Sequence, residues 1–240
     1  MSKLSLELRW FFRGLVPGEV QTWFSRKLPA DRPQKEKVRQ DLYFIVRDRE
    51  DLGLKLSRGR LELKCRQESQ PFSLSEPRMS GVQETWIKQE WRYAKEFADN
   101  LEVAFGKPKL QGWRVEVQKN RSMRKYQVDA TGKVSDLPID QPAERLFKVE
   151  LTSLIKHDRP WWTLGIEISG EPPNLQEIFA IAVKNLLDGH PGLDLNADRS
   201  YGYPHWLMHQ QPDEPGPFRD VPGGSGRHGG RLRRDPGQGK

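Results

Sequence analysis

Between Leu4 and Phe12 the chain alternates with period two. Leu4, Leu6, Leu8 and Trp10 point one way; Ser5, Glu7 and Arg9 point the other. A helix cannot sort such a run onto two faces, whereas a strand does so at every residue. The pattern returns at Arg60–Arg66, where Leu61, Leu63 and Cys65 oppose Arg60, Glu62, Lys64 and Arg66. β-Sheet is therefore the organising element, with leucines on one face and charges of both signs on the other.

Further strands follow from the same period and from β-branched and aromatic enrichment: Gln40 to Val46, Leu52 to Leu56, Leu146 to Thr152 and Trp161 to Ser169. Ser57, Arg58 and Gly59 read as a tight hairpin turn, and Gln67 to Gly81 as a loop. A second hairpin is expected from Trp113–Lys119 and Lys125–Asp129 around Asn120, Arg121 and Ser122. Val82 onward reads as strand to about Arg92 and then as helix to Phe105.

Val20, Trp23, Phe24 and Leu28 recur at helical spacing. Leu175, Ile178, Phe179, Ala182 and Leu186 form the stripe of a clearer helix, with Asn174 before it and Gly189 after it. Tyr201 to Leu207 is an aromatic closing segment. No strand–helix–strand rhythm recurs, so a doubly wound parallel sheet does not fit. The expectation is an α+β fold, an antiparallel sheet closing into a β-barrel with peripheral helices.

Composition matters at the ends. Of the 240 residues, 40 are Lys or Arg and 33 Asp or Glu, a formal net charge of +7. Residues 210–240 hold 8 Gly and 5 Pro without apolar periodicity and account for +2 of it. They cannot bury enough apolar surface to offset ordering entropy, so a disordered tail is expected after a folded domain over 1–209. The first residues lack the apolar core of a signal peptide, no apolar run spans a bilayer, and Cys65 is the single cysteine. A cytoplasmic protein without membrane association is the expectation.

The charged strand faces admit two readings. They are a solvated exterior laced with weak ion pairs, or they line a barrel wide enough for a polyanion. In the second case Lys and Arg bind phosphates and carboxylates hold Mg²⁺ or Mn²⁺.

The order of motifs over residues 4–207 resembles the CYTH, or triphosphate tunnel metalloenzyme, superfamily. Its opening E-x-E-x-K strand is matched by Ser5-Leu-Glu7-Leu-Arg9, and its D-x-Y-F strand by Asp41-Leu-Tyr43-Phe44. Leu54-Lys55 and Leu61-Glu62-Leu63-Lys64 resemble the basic strands that follow, and Ala94 to Leu101 the helix after them. Lys119-Asn120-Arg121 with Tyr126 is similar to the K-x-R strand and its tyrosine, Glu167-Ile-Ser169 to the late E-x-E, and Ser200-Tyr201 to the closing segment.

The resemblance implies an eight-stranded tunnel that binds a triphosphate and a divalent metal and hydrolyses or transfers phosphoryl groups. By position, Arg9, Lys55, Lys64, Arg66, Lys119 and Arg121 would face a small-molecule triphosphate or polyphosphate, and Glu7 and Glu167 the metal, Mg²⁺ or Mn²⁺. Ser5 and Ser169 replace two signature carboxylates. Either Glu62 or Glu150 supplies a substitute ligand, or the barrel binds anions without catalysing. Nucleic acid is a weaker partner: Lys119 to Lys125 offers a basic hairpin tip, and Arg231, Arg233 and Arg234 a small cluster on the tail. His205 and His209 stand four apart without an evident third ligand and read as packing or surface histidines.

Overall fold

The alternating segments form strands, and the strands close on themselves. In the computed structural model the described residues are 3–27, 34–46, 48–76, 78–92, 114–137, 143–170, 174–187 and 189–209. All lie in the unit Met1–Gln210; the remaining unit, Gln211–Lys240, lies outside them, as do the expected tail and the expected helix at 94–105.

The strands are β1 (Lys3–Arg13), β2 (Gln34–Lys35), β3 (Arg39–Phe44), β4 (Leu52–Ser57), β5 (Arg60–Leu74), β6 (Met79–Arg92), β7 (Arg114–Val128), β8 (Val134–Asp136), β9 (Leu146–Lys156) and β10 (Arg159–Ser169). Eight of them follow one another around a ring, β7-β3-β4-β5-β6-β1-β10-β9, and the β9–β7 ladder closes it. Every pairing is antiparallel; the short β2 and β8 lie alongside β7. Full closure leaves none of the eight with a free edge.

Helix α1 (Gly18–Thr22) runs into a π turn at Trp23–Lys27, α2 spans Leu175–Leu187 and α3 spans Tyr203–His209. None of the described helices is long and apolar enough to cross a membrane. The β4–β5 turn places both Arg58 (φ 52°) and Gly59 (φ 70°) in the left-handed region, the signature of a two-residue turn that matches strand twist.

The larger apolar core lies outside the barrel wall. Leu6, Leu8 and Trp10 of β1, Val149 and Leu151 of β9 and Ile166 and Ile168 of β10 face outward and pack with Ile178, Phe179, Ala182 and Val183 of α2. The stripe on α2 covers the leucine face of the strands, which obliges the charged face to turn inward. Inside the barrel, one end is closed by a second cluster of Phe11, Tyr43, Val115, Val117 and Trp161 around Trp206 and Leu207 of α3.

Two expectations are corrected. The expected second hairpin is not one: β7 runs unbroken from Arg114 to Val128, because Asn120, Arg121 and Ser122 pair with Ser153, Thr152 and Leu151 of β9. The basic run Lys119–Lys125 is therefore barrel wall and not an exposed tip. The loop at 67–81 is mostly strand, with β5 and β6 paired out to Leu74 and Met79 around buried Phe72. The closing aromatic segment, given no secondary structure from sequence, is helical over Tyr203–His209 and brings Tyr203 and Trp206 to the barrel end.

Candidate functional site

The inward faces enclose a cavity of about 320 Å³. Glu7 and Arg9 reach it from β1, Lys55 from β4, Glu62 and Lys64 from β5, Lys119 and Arg121 from β7, Glu150 from β9 and Glu167 from β10. Nine of the ten residues proposed from sequence thus share one cavity. Arg66 does not line it: it sits beside a bulge in the β5–β6 ladder, stacks over Trp86 and pairs with Glu84 at 2.6 Å. Arg114 and Glu116 occupy the opposite parity of β7 from Lys119 and point outward.

Burial grades the cavity from floor to mouth. Tyr43, Lys119 and Tyr203 form the floor; the Lys119 ammonium lies 3.7 Å from the centre of the Tyr203 ring and donates to the Tyr43 hydroxyl. Lys88, Lys148 and Glu167 are more open and mark the mouth. Nine basic side chains line the wall against five carboxylates, an excess of four positive charges.

Almost every cation is tied to a carboxylate. Arg9 and Arg121 both reach Glu150, at 3.0 and 2.9 Å. Lys55 pairs with Glu62 at 2.9 Å, Lys148 with Glu167 at 2.6 Å, and Lys64 with Glu7. Asp41, fully buried behind the floor, receives Arg39 at 2.9 Å and Ser57 at 2.5 Å and lies 3.4 Å from Lys119.

These contacts set the ionisation states. Burial alone would raise the Asp41 carboxyl, but Lys119 and Lys55 hold it at about 2. Burial likewise opposes ionised Glu167, which Lys148 and Lys64 keep at about 2, while Arg9 and Arg121 hold Glu150 well below the carboxylate range. Lys119 goes the other way: burial pushes it down to about 8 against the pull of Asp41 and Glu150. Burial also raises Glu84, the carboxylate that Arg66 and Trp86 hydrogen-bond.

Sequence reasoning missed Glu84, Lys88 and Lys125 on the wall, together with the floor residue Tyr203. Glu84 and Lys88 lay in a segment whose helical and strand periods overlap, and Lys125 was placed at a turn. Pairing register now relates them. Glu84, Glu7 and Glu167 stand side by side on β6, β1 and β10, while Lys125 faces Lys148 and Lys64 faces Lys88.

The carboxylates do not fit a resident Mg²⁺ or Mn²⁺ as they stand. Such an ion takes six oxygen ligands in near-octahedral array. Among the described residues, no three carboxylates of the interior bring oxygens within 4.8 Å of one another. Glu7 and Glu167 are engaged by Lys64 and Lys148, and neither proposed substitute is free: Glu62 is held by Lys55 and Lys88, and Glu150 by Arg9 and Arg121. Ser5 and Ser169, the two positions where the resembling motifs carry carboxylates, face each other in the β1–β10 ladder. The Ser5 hydroxyl donates to Glu7.

No protein-family model matches the chain, and no curated protein matches it in sequence.

Proposed function

We propose that the barrel binds a compound bearing a triphosphate or similar short polyphosphate chain, through its cations rather than through a resident metal. The observation that carries this reading is the convergence of nine basic side chains, against five carboxylates, on one cavity of about 320 Å³. That volume lies in the lower range of small-molecule sites.

Stability does not account for such an interior. A buried ion-pair network at best breaks even with apolar residues of similar volume. Like charges opposed in a ladder are destabilising, yet Lys125–Lys148 and Lys64–Lys88 are opposed on the cavity wall. A polyanion between them removes that penalty. Floor and wall also hold unspent polarity: the Tyr203 hydroxyl and Arg121 Nε are buried without a hydrogen-bond partner among the described residues. Arg9 and Arg121 offer the planar fork that phosphate oxygens accept in pairs.

In this reading phosphate oxygens replace carboxylate oxygens as partners of the wall cations. The protein is a divergent, cytosolic relative of the triphosphate tunnel family in which anion binding outlasted the metal side. Cations that face inward suit a small molecule rather than a nucleic-acid duplex.

Calorimetry with inorganic triphosphate, with Mg²⁺ and again in EDTA, tests this. Saturable binding in EDTA is the expected result; no heat in either condition would exclude it. A second reading, metal-dependent hydrolysis, requires the ladder neighbours Glu84, Glu7 and Glu167 to give up their basic partners to the phosphate chain and take an ion that enters with it. Phosphate release with Mg²⁺ or Mn²⁺ that is lost in Glu7→Gln and Glu167→Gln would establish that reading instead.

A further inference from the structure

Away from the cavity, the turn between β3 and β4 and the last helix bring three metal-ligating groups together. His205 and His209 are one turn apart on α3 and share a face, with ring centres 4.4 Å apart. Glu50, in the turn, places one carboxylate oxygen 3.0 Å from His205 Nδ1 and the other beside His209 Nε2. All three ligand atoms lie within 4.8 Å of one another.

We infer that Glu50, His205 and His209 form a binding site for a late first-row divalent ion, Zn²⁺ first among them, that clips α3 to the β3–β4 turn. Two imidazoles and a carboxylate are a recurrent three-ligand zinc set, with bonds of about 2.0–2.2 Å. Ligands at those bond lengths in a tetrahedron stand a little over 3 Å apart, close to the 3.0 Å between Glu50 and His205 Nδ1. Half-exposed side chains at all three positions leave the site open to an ion from solution and a fourth position for water. Imidazole nitrogen also selects against Mg²⁺.

The consequence reaches the cavity. Helix α3 has seven residues, too few to hold together without tertiary contacts. It carries Tyr203, part of the cavity floor, and Trp206, which stacks on Phe11 with ring centres 5.1 Å apart. The other anchor is Lys156, whose ammonium donates to the carbonyls of Trp206 and Leu207 at 3.3 Å each. An ion at Glu50, His205 and His209 adds a third tie, to the β3–β4 turn. The site stands whether or not the barrel binds polyphosphate.

The test uses the full chain stripped with a chelator, titrated with Zn²⁺ by calorimetry and with Co²⁺ by visible absorption. One equivalent of Zn²⁺ should bind saturably, and Co²⁺ should give the intense d–d bands of a four-coordinate site. Zn²⁺, but not Mg²⁺, should raise the unfolding temperature and slow amide exchange over residues 203–209. The chain has five histidines, so variants must localise the effect. His209→Asn and Glu50→Gln, both outside the packed core, should each weaken Zn²⁺ roughly tenfold or more. No saturable Zn²⁺ binding by the wild type, or unchanged affinity in both variants, would overturn the assignment. Should His209→Asn unfold, Glu50→Gln decides alone.

Discussion

The guanidinium of Arg9 lies over the bare α-carbon of Gly165: a Cβ at that position would stand 2.5 Å from Arg9 Cζ. Arg9 belongs to β1, Gly165 to the neighbouring β10, and the partner of Arg9, Glu150, to β9 beyond it. The glycine is thus the gap in the wall through which one cation crosses a strand. Gly165→Ala should leave the barrel folded but displace Arg9. Losing one charged hydrogen-bond donor costs about 1.5–3 kcal/mol, so triphosphate affinity should fall roughly ten- to hundredfold by calorimetry. Unchanged affinity would show that Arg9 takes no part in binding.

Glu7→Gln separates cation-led from metal-led binding. It removes the carboxylate that occupies Lys64. Stability should drop by about 1–3 kcal/mol, because the partly buried Lys64 ammonium loses its ion-pair partner. Triphosphate should restore that loss in thermal melts and bind more tightly than to the wild type, even in EDTA. A metal-led site predicts the reverse, weaker binding that no chelator affects further.

Binding should weaken as pH rises through about 8, where the buried Lys119 loses its proton. Its protonated form is the one an anion favours, so binding near pH 8 should take up protons. Calorimetry in buffers of different ionisation enthalpy reads that uptake directly. Lys119→Met should abolish both the uptake and this part of the pH dependence.

Acid should unfold the barrel between about pH 4.5 and 2. The carboxyls of Asp41 and Glu167 titrate at about 2 when folded, and those of Glu150 and Glu62 are also depressed. Their ordinary values lie near 4, so their stabilisation is complete above that pH and fades as pH falls through the folded values. Asp41 alone contributes on the order of 2 kcal/mol. Glu84, raised by burial, acts in the opposite sense but is one group against four. Denaturant melts at pH 7, 4 and 3 should show the decline, and Asp41→Asn should flatten it.

Much of the wall was legible as parity. Once Glu7 faces one way on a strand, Arg9 does too, and the same holds for Glu62 with Lys64 and Lys119 with Arg121. Asn120–Ser122 looked like a turn because local composition cannot register a distant partner; β9 supplies the pairing that keeps the chain extended. Tyr203 was out of reach for a similar reason, since its place on the floor depends on α3 folding back across the barrel end.

The amino-acid sequence by itself determined that the strands have an apolar and a charged face, and which residues share each. That follows from the two-residue period, a property of every extended chain. It did not determine which face is the inside. Only the closing β7–β9 ladder and the apolar stripe of α2 laid over the leucines turn the charges inward. Both are contacts between residues far apart in the chain, and no local pattern encodes them.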